Sequence, residues 1–141
     1  APEHTKILLL VRDGRAVFHS GLKRGRSRRK ALNAWRHTYR RALPLLREHV
    51  PHADLLQVRY EDLASSPAKE LRRISASIGI PFDEAMPDLR SRPRHVVNGN
   101  DMRLSSTSAI KLDHKWRTEL TPADLDYFEL RAGSLNRTLG Y

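Results

Sequence analysis

The sequence predicts an α/β fold, a parallel sheet flanked by helices, on three observations: two short apolar runs, their separation by about forty residues, and a helical stretch between them. Ile7-Leu8-Leu9-Leu10-Val11 is continuously apolar, preceded by Lys6 and followed by a turn-like Asp13-Gly14. Such a run suits a strand buried on both faces of a parallel sheet. Leu55-Leu56-Gln57-Val58-Arg59-Tyr60 reads as the second strand. A strand, a helical crossover and another strand make a βαβ unit, which pairs its strands in parallel.

Between the strands, residues 15–21 read as a first helix. From Lys30, the apolar positions Leu32, Trp35, Tyr39, Leu43, Leu46 and Val50 step by three or four, marking one helix face with arginines on the other. Pro44 is expected to kink or split this helix. After the second strand, Ser66-Pro67 offers an N-cap and a first-turn proline to a helix buried through Leu71, Ile74 and Ile78 and ended by Gly79 and Pro81. The stretch from Pro87 to Lys115 lacks sustained periodicity and reads as a long ordered loop with one helical turn. Thr121-Pro122-Ala123-Asp124 starts a last helix, buried through Leu125, Phe128, Ala132 and Leu135, and Gly140 closes the chain.

At 141 residues and 39% hydrophobic content the chain suits a single domain with a core of its own. It has no cysteine, so disulfides and thiolate metal sites are excluded and a reducing cytoplasm is the expected compartment. No histidine pair has zinc-ligand spacing with convincing further partners. The longest apolar run is too short to cross a bilayer, and no signal-peptide pattern is present. The first residue is alanine and a strand follows almost at once, so the natural chain is expected to begin further upstream, with room there for a membrane anchor. A sheet missing strands exposes apolar surface and an unpaired edge, which predicts a marginal or self-associating protein. The net charge of +10 attracts anions without choosing among phosphate, sulfate, nucleic acid and acidic lipid.

Arg12 stands at the carboxyl end of the first strand with a helix start directly after it, the position where open α/β sheets bind ligands. Free N–H groups and the helix dipole favour an anion there, and the guanidinium fork matches a phosphate. Ser20, about one and a half turns into that helix, adds a hydroxyl donor. Taken alone, the pair also fits a solvated arginine and an incidental serine, and Asp-Gly-Arg is neither a Walker loop nor a dinucleotide fingerprint.

VRDGRAVFHS resembles the 3′-phosphate motif of the sulfotransferases that use 3′-phosphoadenylyl sulfate (PAPS), whose usual form is close to VRDPRAVxxS. VRYEDLASSPAKELRRISASIGIPF is similar to that family's YEDL strand and following helix. GNDMRLSSTSAIKLDHKWRTEL is similar to its GNPMR…I..D..WR..L stretch. The resemblance implies that Arg12 and Ser20 hold the 3′-phosphate, that Tyr60 lies near the adenine, and that Gly99, Asn100 and Arg103 belong to a loop closing over the nucleotide. It implies part of a three-layer sandwich of the P-loop NTPase type, with residues 1–141 as the C-terminal part of one sulfotransferase domain. It implies transfer of a sulfuryl group from PAPS to an acceptor hydroxyl or amine, leaving adenosine 3′,5′-bisphosphate, without a metal. Gly14 and Asp101 stand where the family form has proline, both turn-compatible. Nothing in residues 1–11 resembles the family's glycine-rich 5′-phosphosulfate loop, P-[KR]-S-G-T-[ST]. The leaving-group lysine and the catalytic base are therefore expected upstream, and the chain alone is expected not to turn over.

Other features carry blander readings beside sharper ones. His19 abuts Ser20 and His95 precedes the Asn-Gly-Asn loop, but isolated histidines are usually surface residues. Glu61 and Asp62 suit an adenine-side or structural role, and Trp35 and Tyr39 suit the core. The basic run at residues 23–30, with Lys23, Arg24, Arg26, Arg28, Arg29 and Lys30, is either a solvated loop entering a helix or a surface for an anionic acceptor. Nucleic acid is disfavoured, since no recognition helix, zinc finger or RNP-like strand accompanies the run. Two alternatives to an enzyme stay open: a non-catalytic nucleotide- or phosphate-binding module, and a basic nucleic-acid-binding protein. A kinase-like P-loop protein would need a Walker lysine, which the sequence lacks.

Overall fold

In the computed structural model, which describes residues 5–88, 112 and 114–141, the two apolar runs form strands β1 (Ile7–Val11) and β2 (Leu55–Arg59). They pair in a small parallel sheet. β1 is not buried on both faces as its composition predicts. Leu9 packs against the core and Val11 is fully buried, whereas Leu8 and Leu10 are 44% and 46% exposed. Alternate residues of a strand share a face, so among the described residues helices cover one side of β1 and leave the other open. The described residues divide into two compact units, one within Ala1–Gln57 and Asp113–Tyr141, the other within Val58–Leu112.

In the first unit, α1 (Gly14–Lys23) and α2 (Arg28–His49) form an antiparallel hairpin. Gly25 turns the chain with φ of 73°, a left-handed conformation that favours glycine. Their packing is close where Gly21 meets Ala31, since a Cβ on Gly21 would stand 2.7 Å from that of Ala31. α2 then runs back along β1. Trp35 Nε1 donates to the Arg12 carbonyl at 3.2 Å, and Tyr39 Oη donates to the Leu10 carbonyl at 3.1 Å. Pro44 does not split the helix, which is continuous from Arg28 to His49. The proline is exposed, so the carbonyl it leaves without an N–H partner faces water.

After α3 (Tyr60–Ser65) and α4 (Pro67–Ile78) of the second unit, the C-terminal part adds α5 (Trp116–Glu119) and then α6 (Pro122–Phe128). Thr121 caps α6 with a full capping box: its hydroxyl accepts from Asp124 N, and Asp124 Oδ2 accepts from Thr121 N. The helix passes through a π turn at Glu129–Gly133 into α7 (Ser134–Thr138). Phe128 is the keystone of the core, 6.0 Å from both Phe18 and Trp35 between ring centroids, with Leu32, Ala132 and Leu139 buried in the same cluster.

In the second unit, α3 (Tyr60–Ser65) begins where the sequence predicts a last strand residue, and α4 (Pro67–Ile78) follows. Pro67 is at the first turn and Gly79 ends α4 with φ of 74°, as the sequence implies. Two expectations fail. Ser66 makes no side-chain cap; it joins α3 to α4, and its N–H donates to the Asp62 carbonyl. Leu71 and Ile74 are only half-buried and Ile78 is 41% exposed, while Glu70 is buried in a 2.7 Å ion pair with Arg73. Among the described residues no helix is long and apolar enough to cross a membrane. The predicted loop from Pro87 to Lys115 lies largely outside the described residues.

Candidate functional site

The β1–α1 turn is held by residues far apart in sequence. Asp13, itself buried, caps α1 by accepting from Arg15 N at 2.9 Å, and its carboxylate takes both Nε and Nη2 of Arg15 at 2.8 to 3.2 Å. Asn136 of α7, also buried, closes the turn from the other side. Its Oδ1 accepts from Gly14 N at 2.8 Å and its Nδ2 donates to Asp13 Oδ1 at 3.2 Å. The Arg15 guanidinium lies 4.3 Å over the Trp116 ring. Gly14 is required by crowding: a Cβ there would stand 2.7 Å from Trp35 and 2.8 Å from Phe128. These contacts fix the backbone of Arg12, whose carbonyl is held by Trp35 and whose Nε is buried.

This arrangement corrects one expectation. The first N–H groups of α1 are not open to an anion, because Asn136 takes that of Gly14 and Asp13 takes that of Arg15. The Asp13 carboxylate also already answers the positive end of the helix dipole. At this turn the groups left to meet an anion are therefore side chains. Arg12 and Ser20 are both half-buried and fixed by one turn and one helix, and among the described residues no hydrogen bond engages the Ser20 hydroxyl.

The model of the sulfotransferase family matches residues 3–84, more than half of the chain. The chain belongs to the sulfotransferase family. It is similar to the solved sulfotransferase domain from the Synechococcus PCC 7002 olefin synthase, with 33% identity and a TM-score of 0.81. That likeness covers 96% of this chain and 49% of the other, so the chain spans about half the length of that solved domain. No curated protein matches it significantly.

Sulfuryl transfer from a donor to an acceptor is the family's general chemistry. Of the site residues predicted from the sequence, Arg12, Ser20 and Tyr60 lie within the family match. Tyr60, half-buried, opens α3 in the second unit. Gly99, Asn100 and Arg103 lie outside the described residues, as does His95. His19 is buried and bonds Glu119 Oε2 through Nε2 at 2.9 Å, tying α1 to α5. Lys23 reaches the same oxygen at 3.3 Å. Hydrogen bonds from Lys23 and then His19 hold the Glu119 carboxyl below its ordinary range. Asp124 is likewise held low, first by the Thr121 hydroxyl and then by Arg28 at 2.7 Å, against the opposing effect of burial. All six cations of the basic run are exposed, and of these Lys23 and Arg28 pair with Glu119 and Asp124. Among the described residues no group of three metal-ligating side chains occurs.

Sequence reasoning missed Asn136, Trp116 and Arg15 as the frame of the site. Asp13-Gly14 signalled a turn, but Asn136 lies 123 positions from Asp13 and nothing local marks it.

Proposed function

We propose that the β1–α1 turn is the 3′-phosphate half-site for PAPS in a sulfotransferase, and that this chain holds the donor without completing the reaction alone. The observation that supports it most is the fixing of Arg12. Its backbone is pinned by Trp35 and by the Asp13–Asn136 network, at the carboxyl end of a parallel strand and ahead of a serine-bearing helix. A guanidinium and a hydroxyl suit a phosphate monoester, offering a planar fork and a further donor to three acceptor oxygens. PAPS, when bound, supplies the sulfuryl group. The residues described here bind and orient it by charge and position, as phosphoryl transfer is helped without an enzyme nucleophile.

On this reading Tyr60 faces the adenine side, and Gly99, Asn100 and Arg103 complete the nucleotide contacts. The sheet and its helices are part of a three-layer P-loop-like sandwich. The acceptor is a hydroxyl or amine compound, and the exposed cations of residues 23–30 suit one that is itself anionic.

Calorimetric titration with adenosine 3′,5′-bisphosphate tests the half-site. Arg12→Ala is expected to weaken binding by about 2 kcal/mol, roughly thirtyfold, and adenosine 5′-monophosphate to bind no better to the wild-type chain than the bisphosphate binds to the variant. Equal affinity for the two nucleotides would refute a 3′-phosphate site. Robust sulfation of an alcohol or amine by the isolated chain with PAPS would refute its dependence on further parts.

A further inference from the structure

The amino end of β1 has the opposite character to its carboxyl end. α2 runs antiparallel to β1, with Trp35 at Arg12 and Tyr39 at Leu10, so its last turns reach the far end of the strand. There the helix and the sheet do not close. A cavity of about 330 Å³ remains, walled by Leu9, Leu43, Leu46, Val50 and Leu55. The pocket opens to solvent, and its aliphatic walls favour an apolar occupant that displaces water from them.

Charge at the opening narrows the occupant further. Arg47 and His52 line the same cavity, both exposed, and no carboxylate lines it. Among the described residues no ion pair engages either. Glu48, next in sequence to Arg47, stands 3.9 Å from His49, and Asp54, which follows His52 closely, is paired with Lys6 at 2.7 Å. The Gln57 amide is turned to the Leu139 carbonyl. The cavity thus joins five aliphatic walls to a rim that carries the Arg47 guanidinium and the His52 imidazole, within the size range of small-molecule sites.

We propose that this cavity binds an amphipathic monoanion, an alkyl chain of about ten carbons or fewer with a carboxylate head, with the chain against Leu43, Leu46 and Leu55 and the head between Arg47 and His52. The site is separate from the nucleotide half-site and stands or falls without it.

Decanoate, below its micelle-forming concentration, is the probe, with decanol and decyltrimethylammonium as neutral and cationic counterparts. The wild-type chain is expected to bind one decanoate saturably, at least about tenfold more tightly than decanol, and the cation not at all. Arg47→Ala combined with His52→Ala, both at exposed positions, is expected to erase the preference for decanoate over decanol. Leu46→Phe, which takes part of the space, is expected to weaken binding of both, and Arg36→Ala, three turns of α2 away from Arg47, to change nothing. Competition by adenosine 3′,5′-bisphosphate would move the anion to Arg12 and overturn the proposal. So would non-saturable uptake, or equal binding of all three probes. The comparison of the three probes on the wild-type chain decides the matter even where a variant fails to fold.

Discussion

The two ends of β1 are built on opposite principles. At the carboxyl end, buried polar atoms are paired to one another across the chain: Gly14 N and Asp13 to Asn136, Arg15 to Asp13, the Arg12 carbonyl to Trp35. At the amino end, aliphatic side chains face a gap, and Arg47 and His52 at its edge are exposed. A polar network in a buried place tolerates no loss of a member, because the partner left behind keeps its desolvation cost. An apolar gap tolerates gain and loss of volume. The turn that carries Arg12 is therefore predicted to be the least substitutable part of the first unit, and the cavity wall the most forgiving.

The largest effect tests the crowded end with the residue that the family form itself prefers. Gly14→Pro removes the N–H that Asn136 accepts from and adds ring atoms where a Cβ alone would stand 2.7 Å from Trp35. It is expected to cost at least about 3 kcal/mol by denaturant unfolding, as overpacking and a buried unsatisfied amide oxygen combine. A variant as stable as the wild type would show that Trp35 and Phe128 yield easily and that the turn is not rigid. Asn136→Ala follows, at about 2 kcal/mol, since it strands the Gly14 N–H and weakens the hold on Asp13 without crowding anything. The same variant is expected to weaken nucleotide binding although Asn136 touches no proposed ligand, and unchanged affinity in a folded variant would separate the frame from the site.

How much of this was legible in sequence follows from the range of the interactions. β1, α1, α2, α4 and α6 are each announced by local features, namely apolar runs, 3.6-residue spacing, Ser-Pro and Thr-Pro starts, and Gly79 as a terminator. The motif around Arg12 was legible because its residues are contiguous. Asn136 was not, because its partnership with Asp13 spans 123 positions and an isolated asparagine near a C-terminus carries no pattern. The one-sided exposure of β1 was hidden because a continuous apolar run reads alike whether its second face is covered or bare. The continuity of α2 through Pro44 was hidden for a similar reason: only the fold shows that the proline lies on the solvent side of the helix.

A smaller effect lies at the start of α6, where polar contacts are nearer the surface. Thr121→Ala breaks the capping box and is expected to cost about 1 kcal/mol near neutral pH. Asp124 has its carboxyl held below the ordinary 3.8 in the folded chain by the Thr121 hydroxyl and Arg28. A depressed folded value stabilises above the unfolded value, and that stability is lost as pH falls through the folded one. Melting curves from neutrality into acid are therefore expected to fall less steeply below about pH 4 for Asp124→Asn than for the wild type. An identical acid slope would mean that the pair contributes nothing. Glu119, held low by Lys23 and His19, acts in the same direction, so the acid limb is flattened further by adding Glu119→Gln.

The smallest effect is the one that most sharpens the contrast, because its sign is opposite. Leu46→Phe adds volume at a half-buried position, a change that in a close-packed core costs about 1 to 3 kcal/mol. Beside the cavity the added ring atoms have space to enter and aliphatic neighbours in Leu9, Leu43 and Leu55. The expected outcome is a chain between unchanged and about 1 kcal/mol more stable, read from the same denaturant unfolding as Gly14→Pro. A loss comparable to that of an overpacked core would mean that the gap closes in solution, and the two ends of β1 would then differ only in polarity and not in packing.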